Sequence, residues 1–263
     1  MGASKYIHIG RINFLAKTAY MGDLLLGTTF YTLILFVFVQ LWRVLGGPSG
    51  LVVEGFGYRE MVWYLTASEA IMLGRARIQD DISDEVKTGA IAYSLGRPYH
   101  YLGFKFACYW GETAVRMLVH IAVGIAIALL AVGPIQVTAV QLGALAVSVT
   151  LALILNFLIV ACISLLAFWV EDTVPFFWIY GKLLFVLGGL FAPVELYPEA
   201  LARAARASPF NYVLYVPARM LVRFDAAAWG NTIAAQLGWI AVLGALAVGL
   251  YSLGVRRLNV NGG

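Results

Sequence analysis

The 263-residue chain is 62% hydrophobic and only 12% charged, with a mean hydropathy of +0.84. A water-soluble domain is about half apolar and about a quarter charged. That much apolar surface cannot be hidden in an aqueous core of this size, which excludes a soluble globular domain and leaves lipid as the main solvent. The formal net charge is +4, but in a lipid-embedded chain the placement of Lys and Arg says more than their sum.

Residues 5–20 read KYIHIGRINFLAKTAY. Apolar Tyr6, Ile9, Ile12, Phe14 and Ala16 interleave with Lys5, His8, Arg11 and Lys17, a pattern suited to an amphipathic helix at a membrane surface. We read residues 1–22 as such an elbow. The start lacks an apolar run followed by small residues, so no cleavable signal is expected. Tyr6 stands where a myristoylation motif wants Ser or Thr.

Crossing the hydrocarbon takes about 20 mostly apolar residues, and the chain offers about six such stretches. The fold class expected is therefore an all-α membrane protein forming one membrane domain over 1–263. The first span covers 24–45 and stops at GGPSG, a breaker cluster. The second covers 58–73 and is short, with Arg59, Glu60 and Glu69 inside it. A polar segment, 74–103, follows. The third span covers 104–132 and ends at Gly133-Pro134; the fourth covers 137–170 and ends at Glu171-Asp172; the fifth covers 174–191. Residues 192–230 form a long, partly apolar connection before a sixth span at 231–253. Pro193, Pro198, Pro209 and Pro217 forbid one continuous helix there, yet PFNYVLYVPARMLV is too apolar for a solvated loop. Short helices that dip into the outer leaflet and return, covered by protein, reconcile the two.

Charge asymmetry sets orientation. Lys5, Arg11, Lys17, Arg75, Arg77, Lys87, Arg97, Lys105, Arg256 and Arg257 fall on one side, and Arg43, Arg59, Arg203, Arg206, Arg219 and Arg223 on the other. The richer side is cytoplasmic, with both termini there.

Chemical motifs are missing. There is no GxxxxGK[ST] phosphate loop, no HExxH, no CxxC and no GxSxG. His8, His100 and His120 are far apart and lack metal-ligand spacing. Cys108 and Cys162 lie in apolar stretches and read as small buried hydrophobes. No catalytic residue, metal site, resident cofactor or nucleic-acid partner is expected.

Within the polar segment, Ile78, Ile82, Val86 and Ala90 recur four apart and give a helix one apolar face. Asp80, Asp81, Asp84 and Glu85 occupy its early turns, and Gly96-Arg97-Pro98 ends it. Such a helix is either a solvated loop element or a docking helix. Glu112, Arg116 and His120 follow at i, i+4 and i+8 of the third span, all on one face. Ionisable groups at membrane depth pair or face a cavity. This trio reads as a buried packing pair, or as the wall of a pathway or a contact with a second subunit. Lys182 suits snorkelling to headgroups, and Asn156 suits interhelical hydrogen bonding.

The run DEVKTGAIAYSLGRP, residues 84–98, resembles the cytoplasmic signature of type-2 permeases of ATP-binding-cassette exporters: an acidic helix, a Gly-centred turn, then a Leu-x-Arg-Pro element before the third span. The elbow, six spans, external hairpin, the segment PFNYVLYVPAR and the RRLNVNGG ending are similar to that family too. The charge in the second span is the departure. The resemblance implies a permease in a bacterial inner membrane, paired with an identical or related permease and two copies of a cytoplasmic ATPase that carries ATP and Mg. It also implies that Asp80, Asp81, Asp84, Glu85, Lys87, Leu95 and Arg97 couple the two proteins. A secondary transporter would instead show inverted repeats and helices broken at the midplane. A non-transporting membrane assembly protein would have the docking segment without a pathway.

Overall fold

A computed structural model of the chain describes residues 4–19, 21–46 and 55–261. These are all-helical, with no strand among the described residues. In chain order they form α1 (Ser4–Ala19), α2 (Met21–Gly46), α3 (Tyr58–Gly74), α4 (Gln79–Lys87), α5 (Ile91–Leu95), α6 (Tyr101–Val132), α7 (Ala139–Leu165), α8 (Val174–Val186), α9 (Glu199–Arg206), α10 (Tyr215–Val222) and α11 (Ala226–Asn261). Among them, four segments are long and apolar enough to cross a membrane: Leu24–Leu45, Tyr101–Val132, Ala139–Phe168 and Ala226–Arg257. Val174–Val186 is apolar but shorter. Most of the GGPSG breaker lies outside the described residues.

α3 is the centre of the bundle, packed by α2, α6 and α10. Its polar groups sit inside protein: Thr66, Ser68 and Glu69 are all buried. Thr66 and Ser68 donate back to the carbonyls of Val62 and Leu65 at 2.8 and 3.2 Å, and the Tyr31 hydroxyl of α2 donates to the Thr66 carbonyl at 3.1 Å. A helix surrounded by other helices tolerates groups that lipid would reject. That is how α3 accommodates Glu69; Arg59 and Glu60 lie in its first turn, exposed and half-buried.

α6 has 32 residues, about 48 Å at the α-helical rise, well beyond a hydrocarbon thickness of about 30 Å. α1 lies along its first half and runs in the same direction. Lys5 Nζ donates to the Pro98 carbonyl at 2.7 Å, the His100 N–H donates to the Tyr6 hydroxyl at 3.0 Å, and Lys17 reaches Glu112 at 3.0 Å. Gly103, Ala107 and Gly111 of α6 make the groove. A Cβ on Gly111 would collide with the Gly10 carbonyl and Asn13, and one on Gly103 would crowd the Tyr6 ring. Small residues let helix backbones approach this closely.

The face that α1 buries differs from the expected one. Tyr6, Ile9, Gly10, Asn13, Phe14 and Lys17 turn toward α6, whereas Ile12 is 65% exposed and Ala16 is exposed too. The groove selects for close backbone approach and for the reach of Asn13 and Lys17, so apolar periodicity alone misplaces the face.

α7 begins at a capping box. Thr138 Oγ1 accepts from the Gln141 N–H at 3.2 Å, and Gln141 Nε2 donates to the carbonyls of Met220 and Leu221 at 3.0 and 2.8 Å. That ties the hairpin to α7. α7 and α11 run in the same direction, clamped by fully buried Gln236, which donates to the Ser148 and Tyr212 carbonyls, both at 3.1 Å.

α8 ends at Val186, short of the expected 191. Gly189 adopts φ +67°, a conformation glycine allows at little cost, and its carbonyl accepts from the Tyr64 hydroxyl. The connection that follows is not one helix. Pro198 immediately precedes α9, Pro209 opens a 3-10 turn at Pro209–Tyr212, and Pro217 lies in the first turn of α10. Each proline sits where a helix has no use for its missing N–H. α11 starts at Ala226, before the expected 231, because Asp225 caps it: Oδ1 accepts from the N–H groups of Ala227 and Ala228 at 2.9 and 3.2 Å.

Candidate functional site

α4 and α5 form a two-faced platform at the end of the bundle where α6 begins. Ile78, Ile82, Val86 and Ile91 are buried, and α4 packs on α7. The sequence pattern extends one helix through Ala90 as far as Gly96, but the structure breaks it at Gly89. Gly89 takes φ +73°, its N–H donates to the Val86 carbonyl at 3.2 Å, and the chain restarts as α5. Ala90 therefore lies in the turn rather than on the apolar face of α4.

The opposite face is open. Asp81, Asp84, Lys87 and Arg97 are exposed, and Tyr93 on α5 is 82% exposed. Asp80 lies in α4, with its side chain outside the described positions. Two residues grouped with this surface point elsewhere. Leu95 packs against the core. Glu85 turns inward, where its carboxylate accepts from Lys105 Nζ at 2.8 Å and from the Tyr101 hydroxyl at 2.7 Å. Lys105 is only 5% exposed, and a buried cation demands such a partner. At the far end of the platform Lys87 pairs with Asp172 at 3.6 Å, and Thr173 donates to the Ser83 hydroxyl at 2.9 Å. The platform is thus fastened to α6 and to the α7–α8 turn.

Glu112, Arg116 and His120 do share a face, and that face is covered by α1 and α2 of the same chain. Arg116 Nε donates to Glu112 Oε1 at 2.7 Å, and the same oxygen meets Lys17 of α1. His120 is fully buried, edge-on to Tyr31 of α2 with ring centroids 5.1 Å apart. Its Nδ1 lies 2.7 Å from the Arg116 carbonyl. A carbonyl can only accept, so the proton is on Nδ1, leaving Nε2 buried without a partner among the described residues.

A third polar cluster joins residues that the sequence keeps apart. Arg75, just past the end of α3, donates through Nη1 to Asn156 Oδ1 of α7 at 2.7 Å and, weakly, to the Tyr180 hydroxyl of α8 at 3.4 Å. The Tyr180 hydroxyl donates to the same Asn156 oxygen at 2.7 Å, and Asn156 Nδ2 donates to Tyr109 of α6 at 3.1 Å. Four elements meet at one amide. Asn156 is recognisable as a polar residue in an apolar span. Nothing local signals its partners, because Tyr180 sits in an apolar, aromatic run, VPFFWIY.

Basic residues lie at both ends of the bundle. Lys5 and Lys105 lie at the start of α6, while Lys17 meets Glu112 further along it and Lys87 meets Asp172 of the α7–α8 turn. Arg219 meets Glu195 at 2.8 Å, and Arg223 lies over the Phe56 ring at 4.0 Å, at the other end. Long apolar helices of this kind define an integral membrane protein of the all-helical class. The ABC-2 family transporter protein family matches residues 26–262, nine-tenths of the chain, and the chain belongs to that family. Neither the curated proteins nor the solved structures gave a match. Membership makes the chain the membrane subunit of an ATP-binding-cassette transporter, a transport component that is not itself catalytic.

Proposed function

We propose that this permease moves its substrate outward across a bacterial inner membrane, driven by ATP hydrolysed on a separate ATPase. The complex holds two ATPase copies, with ATP and Mg bound there, and a second permease that is identical or related. The observation that carries this reading is the two-faced platform of α4 and α5. One face is buried and fastened to α6, α7 and α8 through Ile82, Glu85–Lys105 and Ser83–Thr173. The other offers Asp81, Asp84, Tyr93 and Arg97 to the outside. A surface that is rigidly tied to several spans on one side and open on the other transmits displacement. A partner that binds one arrangement of the spans better than another shifts the population between them.

The six spans are α2, α3, α6, α7, α8 and α11, with both termini cytoplasmic. α8 has 13 residues, about 20 Å of helix, so the hairpin through α9 and α10 completes its crossing by entering the outer leaflet and returning. α1 serves as the elbow, clothing the part of α6 that projects beyond the hydrocarbon. Glu112, Arg116 and His120 hold α1, α2 and α6 together rather than line the pathway. The test is affinity purification of the tagged chain from its native membrane with mass spectrometry of what accompanies it. A phosphate-loop ATPase in stoichiometric amount supports the reading. Its absence under conditions that preserve oligomers contradicts it.

A further inference from the structure

We propose that the cavity between the α3–α4 turn and α8 binds the phosphate-type oxyanion of an anionic amphiphile, with the apolar tail laid along α8. The cavity has a volume of about 130 Å³, and Arg75, Arg77, Gln79, Asn156 and Tyr180 supply its polar wall. Arg75 is half-buried there, and its partners are all neutral: Asn156 and Tyr180 by hydrogen bond, with the Tyr180 ring also 5.5 Å from the guanidinium. No acidic side chain among the described residues pairs with it or lines the cavity. A guanidinium offers five N–H donors in a planar fork. Only Nη1 is engaged by the described residues, so the Nε and Nη2 donors are left for a bidentate oxyanion. A half-buried cation whose partners among the described residues are all neutral is costly, and it points to an anionic ligand. Asn156 Oδ1 already accepts twice, so the amide fixes Arg75 in place and does not compete for a ligand.

The shape points to an amphiphile. A second groove of about 370 Å³ shares Met72, Phe177 and Gly181 with the cavity and continues past Trp178, Phe185 and Leu190, with Lys182 on its rim. Trp178 and Phe185 are 73% and 45% exposed. One continuous depression therefore runs from a cationic end to an apolar one. The site lies in the cytoplasmic leaflet on the orientation proposed above, whereas its anion chemistry is independent of that reading.

The experiment is calorimetric titration of the full chain in phosphatidylcholine nanodiscs with soluble dihexanoyl-phosphatidylglycerol, dihexanoyl-phosphatidylcholine and inorganic phosphate. The proposal expects saturable binding of the anionic lipid, at least tenfold weaker binding of the zwitterionic one, and a tenfold or greater loss in Arg75→Gln that Arg75→Lys partly restores. Where Arg75→Gln does not yield folded protein, the exposed pair Arg77→Gln and Lys182→Gln is used, and several-fold weakening is expected. Inorganic phosphate binding as tightly as the lipid assigns the site to the free anion and overturns the amphiphile. Unchanged lipid binding in the folded variants overturns the site altogether. Either failure leaves ATPase copurification untouched, so the permease reading is judged separately.

Discussion

Glu85 and Lys105 form an ion pair at 2.8 Å that joins α4 to the first turns of α6. A partner that pushes on α4 therefore acts on α6 through this pair as well as on α7, against which α4 packs. Glu85→Gln leaves the Lys105 cation without its carboxylate, and we expect a loss of about 1–3 kcal/mol in stability. Thermal unfolding of the detergent-solubilised protein reads it. Lys105→Met with Glu85→Gln recovers much of the loss, since removing both charges leaves neither stranded.

Gly111 sets how closely α1 approaches α6. A Cβ there meets the Gly10 carbonyl and the Asn13 side chain, so Gly111→Val pushes α1 away at about 1–3 kcal/mol and exposes the 4–19 segment to protease. Gly10→Ala is the milder change, because its Cβ would lie 3.3 Å from the Ala107 carbonyl. Limited proteolysis ranks the two, with Gly111→Val cut faster at the α1–α2 junction.

Gln236 is the polar clamp between α7, α11 and the hairpin. Gln236→Leu deprives the Ser148 and Tyr212 carbonyls of their donor and is expected to cost about 1–3 kcal/mol. Gln236→Glu costs more, because it not only removes the donor but sets a fully buried carboxylate against two carbonyl oxygens. Unfolding midpoints of the two variants check the order.

Asp84 lies on the exposed face of α4, away from any ion pair that holds the platform. Asp84→Arg is therefore expected to change stability by no more than about 0.5 kcal/mol while abolishing ATPase copurification and transport. Glu85→Gln should do the reverse, lowering stability first. Comparing unfolding with pull-down yield separates a docking residue from a structural one.

Much of this architecture is legible in the chain. α2, α3, α6 and α7 start and end near the expected positions, because Gly133-Pro134 and the capping residues punctuate long apolar runs. The apolar face of α4 follows from Ile78, Ile82 and Val86 at helical spacing. What escapes is set by tertiary contact. Glu85 looks like its acidic neighbours until Lys105 is seen beneath it. The buried face of α1 depends on the glycines of α6. Arg75 reaches Asn156 and Tyr180 across separations of 81 and 105 residues, and periodicity carries no information at that range. The start of α11 escapes too: hydropathy puts the sixth span at 231, whereas the Asp225 cap begins the helix at Ala226.

The most direct test of the coupling account is a photocrosslinker at two positions in cells: Tyr93→p-benzoylphenylalanine on the exposed tip of α5, and Arg203→p-benzoylphenylalanine on α9 at the opposite end. The account predicts an adduct to a phosphate-loop ATPase from position 93 and none from position 203. An ATPase adduct from position 203, or none from position 93 in a membrane where transport is active, would contradict it.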